Sequence, residues 1–243
     1  TSVVTMFAGI GSVFSFALDE DLIDAHPTAK MKYPRDTLSI EERRHIPFTQ
    51  KESALIWEEA HNRFGANSST KLTPERRLAY LWCVKTMMLT GMRPHEFFRL
   101  RDTDVAHVST LENYHEDWQG VGIDICFSKS GNRLIPLPTM LSGLEDFIQS
   151  GGLECVRDVT AIENKFSDKQ FNTMLTDLDL KRPRVSLYST RASLNMALKR
   201  QGHAVEIRQQ ILGHKPESGM MQHYTDPETM TDMADALNSV AFW

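Results

Sequence analysis

The chain has 243 residues, 41% of them hydrophobic, and 27 basic against 32 acidic side chains give a formal net charge of −5. That length suffices for one sizeable core plus a piece of another domain. No apolar run approaches the roughly 20 residues that cross a bilayer, and no signal-peptide pattern is evident, which argues against a helical membrane protein. The three cysteines, Cys83, Cys126 and Cys155, lack metal-ligand spacing, so buried free thiols in a reducing cytoplasm are expected.

From Val3 to Leu22, apolar residues recur at helical spacing, followed by Asp19-Glu20-Asp21 and His26-Pro27, which predicts a helix and a turn. Lys30 to Pro47, with Pro34, Pro47 and mixed charges, reads as a linker. Thr49 and Glu52 form a capping box that opens the next helix. Thr73-Pro74 starts another, with a cap and an N1 proline, and Gly91 ends it. Pro94 to Leu100 is expected as a short helix with Arg93 at its start. Val105 to Val108, Gly122 to Ser128 and Arg133 to Pro138 have strand character, and Ser130-Gly131-Asn132 makes the turn between the last two. Thr139 to Gln149, Ser167 to Leu180, Ser189 to Gln201, Ala204 to Leu212 and Pro227 to Val240 read as helices. Ser167 and Gln170 supply a second capping box. The result is an α+β chain, mostly helical with one small antiparallel sheet.

The overall acidity hides a local excess of positive charge. Between Lys181 and Lys215, eight lysines and arginines face Glu206 alone, a charge of +7 over 35 residues. Screening confines electrostatic attraction to about 10 Å at ordinary salt, so such a stretch matters more to a polyanionic partner than the net charge does. By itself the stretch reads as a solvated basic face; joined to the motifs that follow, it makes Arg182, Arg184 and Lys215 candidate DNA-backbone contacts.

Five segments carry candidate chemistry: Thr90-Gly91-Met92-Arg93-Pro94-His95-Glu96, Lys129-Ser130-Gly131-Asn132-Arg133, Tyr188-Ser189-Thr190-Arg191, Leu212-Gly213-His214 and Gln222-His223-Tyr224-Thr225. Taken singly, each key residue has a plain reading. Arg93 is a helix-end cap, Lys129 a solubilising turn charge and Arg191 a surface arginine. His214 is a partner of a helix C-terminal dipole, and Tyr224 a packing residue. Together, two arginines, a lysine and a histidine suit a dianionic five-coordinate phosphorus attacked by a phenolate, because arginine forks match phosphate oxygens two at a time.

In their order and spacing these segments resemble the tyrosine recombinase (phage integrase) family, from about Phe48 to the C-terminus. The resemblance implies the integrase catalytic fold over residues 48–243 and a linker over 31–47. Residues 1–30 would be a remnant of the N-terminal DNA-clamping domain, the rest of it removed. It implies cutting and rejoining of DNA through a 3′-phosphotyrosine bond, with no metal or other cofactor. Arg93, Arg191 and His214 would stabilise the pentavalent state, and Glu96 would fix the Arg93 fork. Lys129 would protonate the 5′-oxygen, a task that general acids accelerate by about 10²–10⁴-fold. Tyr224 would be the nucleophile. Tyr188 stands where the family has histidine or lysine; it could donate one hydrogen bond to the phosphate but carries no positive charge. The interval from His214 to Tyr224 is also one residue longer than the family's.

The same resemblance implies duplex DNA as partner, a monomer when free and a homotetramer in a synaptic complex. The C-terminal helix, 227–240, would be docked on its own core or exchanged between protomers. A bacterial or phage-encoded protein acting on cytoplasmic DNA is expected. Two readings compete with a site-specific recombinase that integrates or excises a mobile element. One is a type IB topoisomerase-like strand transferase, and the other a DNA-binding protein that kept the fold and lost activity.

Overall fold

The computed structural model describes residues 3–28, 45–108, 111, 118–126, 132–156, 166–214 and 227–240. The chain divides into two compact units between Arg44 and His45. In the first, helix α1 (Val3–Asp19) ends where Asp21 adopts φ 54°. The turn after it is tied back by His26, whose Nε2 lies 3.2 Å from both Ser15 Oγ and the Gly11 carbonyl. Val13 and Phe16 of the helix and Leu22 after it are more than 60% exposed.

The second unit opens with α2 (Gln50–Phe64). Thr49 Oγ1 accepts from the Glu52 N–H at 3.2 Å and Glu52 Oε2 accepts from the Thr49 N–H at 2.7 Å, the reciprocal cap read from the sequence. Helix α3 (Pro74–Thr90) starts at the Thr73 cap and stops at Gly91, which is left-handed at φ 65°. Short α4 (Pro94–Phe98) follows. Strands β1 (Val105–His107), β2 (Val121–Ile125) and β3 (Arg133–Pro136) form one antiparallel sheet in the order β1-β2-β3. Its register pairs Ile123 with Ile135 and Ile125 with Arg133.

The remaining helices are α5 (Leu144–Gln149), α6 (Asn172–Asp177), α7 (Ser189–Arg200), α8 (Val205–Leu212) and α9 (Pro227–Ser239). Helix α9 packs on α8 and β3 of its own chain. Met230, Met233, Ala236 and Leu237 are buried there, and Asn238 Oδ1 accepts from the Thr139 N–H at 2.9 Å.

Two elements differ from expectation. The single helix expected from Thr139 to Gln149 is broken, because Gly143 takes φ 91°; a short 3-10 turn (Thr139–Leu141) precedes α5. Over the helix expected from Ser167 to Leu180, the described residues open with a π-helical turn, Phe166–Phe171, which includes Ser167. The helix ends at Asp177, shortly before Asp179 at φ 56°. Of the cysteines, Cys83 is buried as expected, but Cys126 and Cys155 are half-buried; none is in a disulfide.

Phe166 in the π-helical turn is a packing centre. Its ring is fully buried and meets Tyr80 of α3 in a stack at 4.7 Å, Phe64 of α2 at 6.0 Å and Phe98 of α4 edge-on at 6.1 Å. One ring thus joins three helices, and α4 is the helix that follows Arg93. Phe166→Ala should lower unfolding free energy by about 3–5 kcal/mol, the usual range for a buried aromatic truncation. Urea denaturation checks this; a loss below 1 kcal/mol would show that the ring cluster repacks.

Candidate functional site

Two chain turns meet beneath the site, and glycine makes both. At Gly91, left-handed at φ 65°, a Cβ would be strained and would lie 2.5 Å from Leu212 Cδ2 and 3.2 Å from Leu194 Cδ2, displacing the leucines by which α8 and α7 meet the end of α3. Gly213, at φ 64°, ends α8, and the His214 N–H returns to the Gln209 carbonyl at 2.9 Å.

Arg191, in the first turn of α7, reaches into this junction. Its Nη1 donates to the Gly91 carbonyl at 2.6 Å and its Nη2 to the Leu212 carbonyl. These carbonyls sit at the C-terminal ends of α3 and α8, where helix dipoles concentrate negative charge. Burial pushes the Arg191 pKa down, aided by the charges of Arg93 and Arg133, to about 9, which leaves it cationic at neutral pH. His214 is exposed at the edge of the same cluster. Desolvation lowers its pKa below the ordinary histidine value, and Arg191, Arg93 and Arg133 act in the same direction. It is therefore neutral at pH 7, able to accept one proton or donate one hydrogen bond.

Arg93 caps α4. Glu96 Oε2 accepts from the Arg93 N–H at 2.9 Å, and Arg93 Nη1 donates to Glu96 Oε1 at 2.7 Å. This is the pairing of Glu96 with Arg93 expected from the sequence. The Glu96 side chain has no exposed surface, while that of Arg93 is 23% exposed. Burial alone would raise the Glu96 pKa. The hydrogen bonds and charge of Arg133, then those of Arg93, outweigh it and hold the carboxyl at about 2.

Arg133 is the member that sequence reasoning missed. It closed the Lys129 segment without a role. Its signal was strand alternation: Arg133 shares a face of β3 with Ile135, which is wholly buried, and a charge pointing inward needs a partner. Its side chain is 8% exposed and pairs with Glu96.

Tyr188 is the N-cap residue of α7, one helical turn before Arg191. Its half-buried ring stacks on His45 with centroids 5.5 Å apart and planes at 18°. The His45 Nδ1 lies 3.2 Å from Ser186 Oγ, which also accepts from the Tyr188 N–H at 3.3 Å. Of the candidate DNA-backbone contacts, Arg182 pairs with Glu52 (Nη1 to Oε1, 2.7 Å), and Arg184 is exposed at φ 64°. Lys129, Lys215 and Tyr224 lie outside the described residues. The structure thus gathers Arg93, Glu96, Arg191 and His214 with the unforeseen Arg133. Such a cationic cluster, one side open to solvent, suits an oxyanion.

The chain matches no protein-family model and no curated protein. Among solved structures it is similar to the integrase from mycobacterium phage Brujita, with 10% identity and a TM-score of 0.51 over 98% of this chain and 71% of that one. It is also similar to the Tn1549 transposon integrase in complex with a circular-intermediate DNA (14% identity, TM-score 0.47, 89% and 73% coverage). A third likeness is to the XerH site-specific recombinase bound to a palindromic difH substrate (16% identity, TM-score 0.44, 78% of this chain). The chain spans about half the length of XerH, 49%. The Brujita likeness is one of fold: a mostly helical chain with a small three-stranded antiparallel sheet, the tyrosine recombinase catalytic fold.

Glu96 generates a prediction about acid stability. A carboxyl whose folded pKa is depressed contributes stability that is complete above the ordinary value near 4.5 and lost as pH falls toward 2. The loss should be on the order of 3 kcal/mol across that window. Glu96→Gln should abolish this slope and, by leaving buried guanidinium groups unpaired, destabilise the protein at pH 7 by about 3–5 kcal/mol. Denaturation between pH 2 and 7 measures both; an unaltered slope in the variant would place the acid-sensitive group elsewhere.

Proposed function

We propose, starting from that fold, that the chain is the catalytic part of a site-specific DNA recombinase that acts through a 3′-phosphotyrosine intermediate. The observation that carries the reading is the convergence of Arg93, Arg191 and His214 at one solvent-open cluster, from three separate stretches of chain. The fold alone does not specify chemistry, but a cationic junction of this composition meets the needs of phosphoryl transfer.

In the proposed step, the Tyr224 oxygen bonds to the scissile phosphorus and the bond from phosphorus to the 5′-oxygen breaks. A phenol with a pKa near 10 is a weak nucleophile until its proton is removed or its anion stabilised. The neutral imidazole of His214 can take that proton, and Arg93 and Arg191 offset the charge on the non-bridging oxygens. Tyr188 donates a single hydrogen bond to the phosphate. Lys129 gives its proton to the departing 5′-oxygen. The ester energy is kept in the phosphotyrosine, so a 5′-hydroxyl from a partner strand reverses the step and rejoins DNA. The roles of Tyr224 and Lys129 rest on their sequence positions.

On this reading residues 1–30 belong to a DNA-clamping domain and 31–47 link it to the catalytic domain, 48–243. Duplex DNA is the partner, with Arg184 and Lys215 contributing backbone charge and the free protein assembling into a homotetramer on its sites. Helix α9, seated on its own chain here, would be the segment exchanged between protomers. Arg182 serves less well as a DNA contact, because its charge is already matched by Glu52.

The test uses a pool of nicked random-sequence duplexes as suicide substrates. The wild-type chain should form a covalent adduct that maps to Tyr224, whereas Tyr224→Phe should bind the duplexes with affinity changed less than threefold and form none. An undiminished adduct in the variant refutes the assignment. Relaxation of supercoiled plasmid by the monomer would point instead to a topoisomerase.

A further inference from the structure

The guanidinium of Arg133 is spent entirely on protein. Its Nη1 and Nη2 donate to the two oxygens of Glu96 at 3.1 and 2.8 Å, and its Nε donates to the Ile211 carbonyl at 3.2 Å. Three segments therefore meet on one side chain: the start of β3, the helix after Arg93, and the last turn of α8 before His214. Contact with the third is close, because a Cβ on Gly213 would lie 2.8 Å from both Arg133 Cδ and Nη1. Arg93 holds the same carboxylate from its other side.

From this geometry we infer that Arg133 is a positioning residue, whose fork fixes Glu96, and through it Arg93, relative to His214 and to the hairpin strand that follows Lys129. The inference rests on the reading of the site as a phosphoryl-transfer centre. With all three nitrogens turned inward, Arg133 does not touch the substrate and acts through its neighbours. A bidentate fork suits the task better than a point charge, since two parallel bonds define the carboxylate plane as well as its distance. Lys129 lies only four positions before Arg133 in the chain, so the strand that Arg133 anchors is the one leading away from the general acid.

The test compares the wild-type chain with Arg133→Lys and Arg133→Gln. Arg133→Lys keeps a charge beside Glu96, and with it the fold, but one ammonium cannot span both oxygens and the Ile211 carbonyl. Single-turnover adduct formation on the nicked duplex pool should slow at least tenfold in Arg133→Lys and about a hundredfold in Arg133→Gln. Duplex affinity should change less than threefold. The imidazole of His214, followed by NMR, faces Arg191 of α7, Arg93 before α4 and Arg133 of β3; it should titrate at higher pH in Arg133→Gln and stay near the wild-type position in Arg133→Lys. That pair of responses separates loss of charge from loss of the fork.

Wild-type adduct rates in Arg133→Lys would overturn the inference, as would parallel losses of rate and duplex affinity in both variants. A wild-type chain that forms no adduct refutes the recombinase reading itself and this role with it. An active wild type with an unaffected variant refutes only the role of Arg133.

Discussion

Like charges do not gather without a countercharge, and in this molecule the carboxylate of Glu96 supplies it. Arg93, Arg133 and Arg191 all act on one another or on His214, and bringing three guanidinium groups into a partly buried junction is unfavourable by itself. Glu96 sits at its base with no exposed surface, bonded to Arg133 through both oxygens and to Arg93 through backbone and side chain. Its low pKa measures how strongly the cations need it ionised. One negative charge against three leaves an excess of two positive charges at the junction.

Helix ends supply the remaining compensation. Arg191 donates to the carbonyls of Gly91 and Leu212, just where α3 and α8 terminate. The dipoles of both helices point their negative ends at the same guanidinium. Termini of two helices, separated by more than a hundred residues in the chain, are thereby turned into one anchor. Arg93 follows Gly91, and His214 follows Leu212, by two positions each, which explains how short turns deliver both side chains to a common place.

Much of this was legible in the chain, where local chemistry dictated local structure. Thr49 with Glu52, Thr73 with Pro74, and Gly91 marked helix ends because caps and left-handed glycines leave a residue signature. Arg93, Glu96, Arg191 and His214 were legible as a set because their spacing resembled that of a known family. What escaped depended on contacts distant in sequence. Ser167 and Gln170 have the form of a capping box, yet both lie within the π-helical turn Phe166–Phe171, whose Phe166 is held by Tyr80, Phe64 and Phe98. Thr139 to Gln149 read as one helix, and only the structure shows that Gly143 breaks it. Arg133 was overlooked because its partner lies 37 residues earlier, and Tyr188 met a ring, that of His45, from the other end of the unit.

The two inner arginines are held by different kinds of acceptor, and this gives them unequal resilience to genetic change. Arg191 is tied to main-chain oxygens, which every amino acid carries, so no codon change at Leu212 can delete its acceptor. Arg133 relies chiefly on the side chain of Glu96, which a single nucleotide substitution can remove. Drift would therefore erode the Arg133–Glu96 side of this junction well before the Arg191 side.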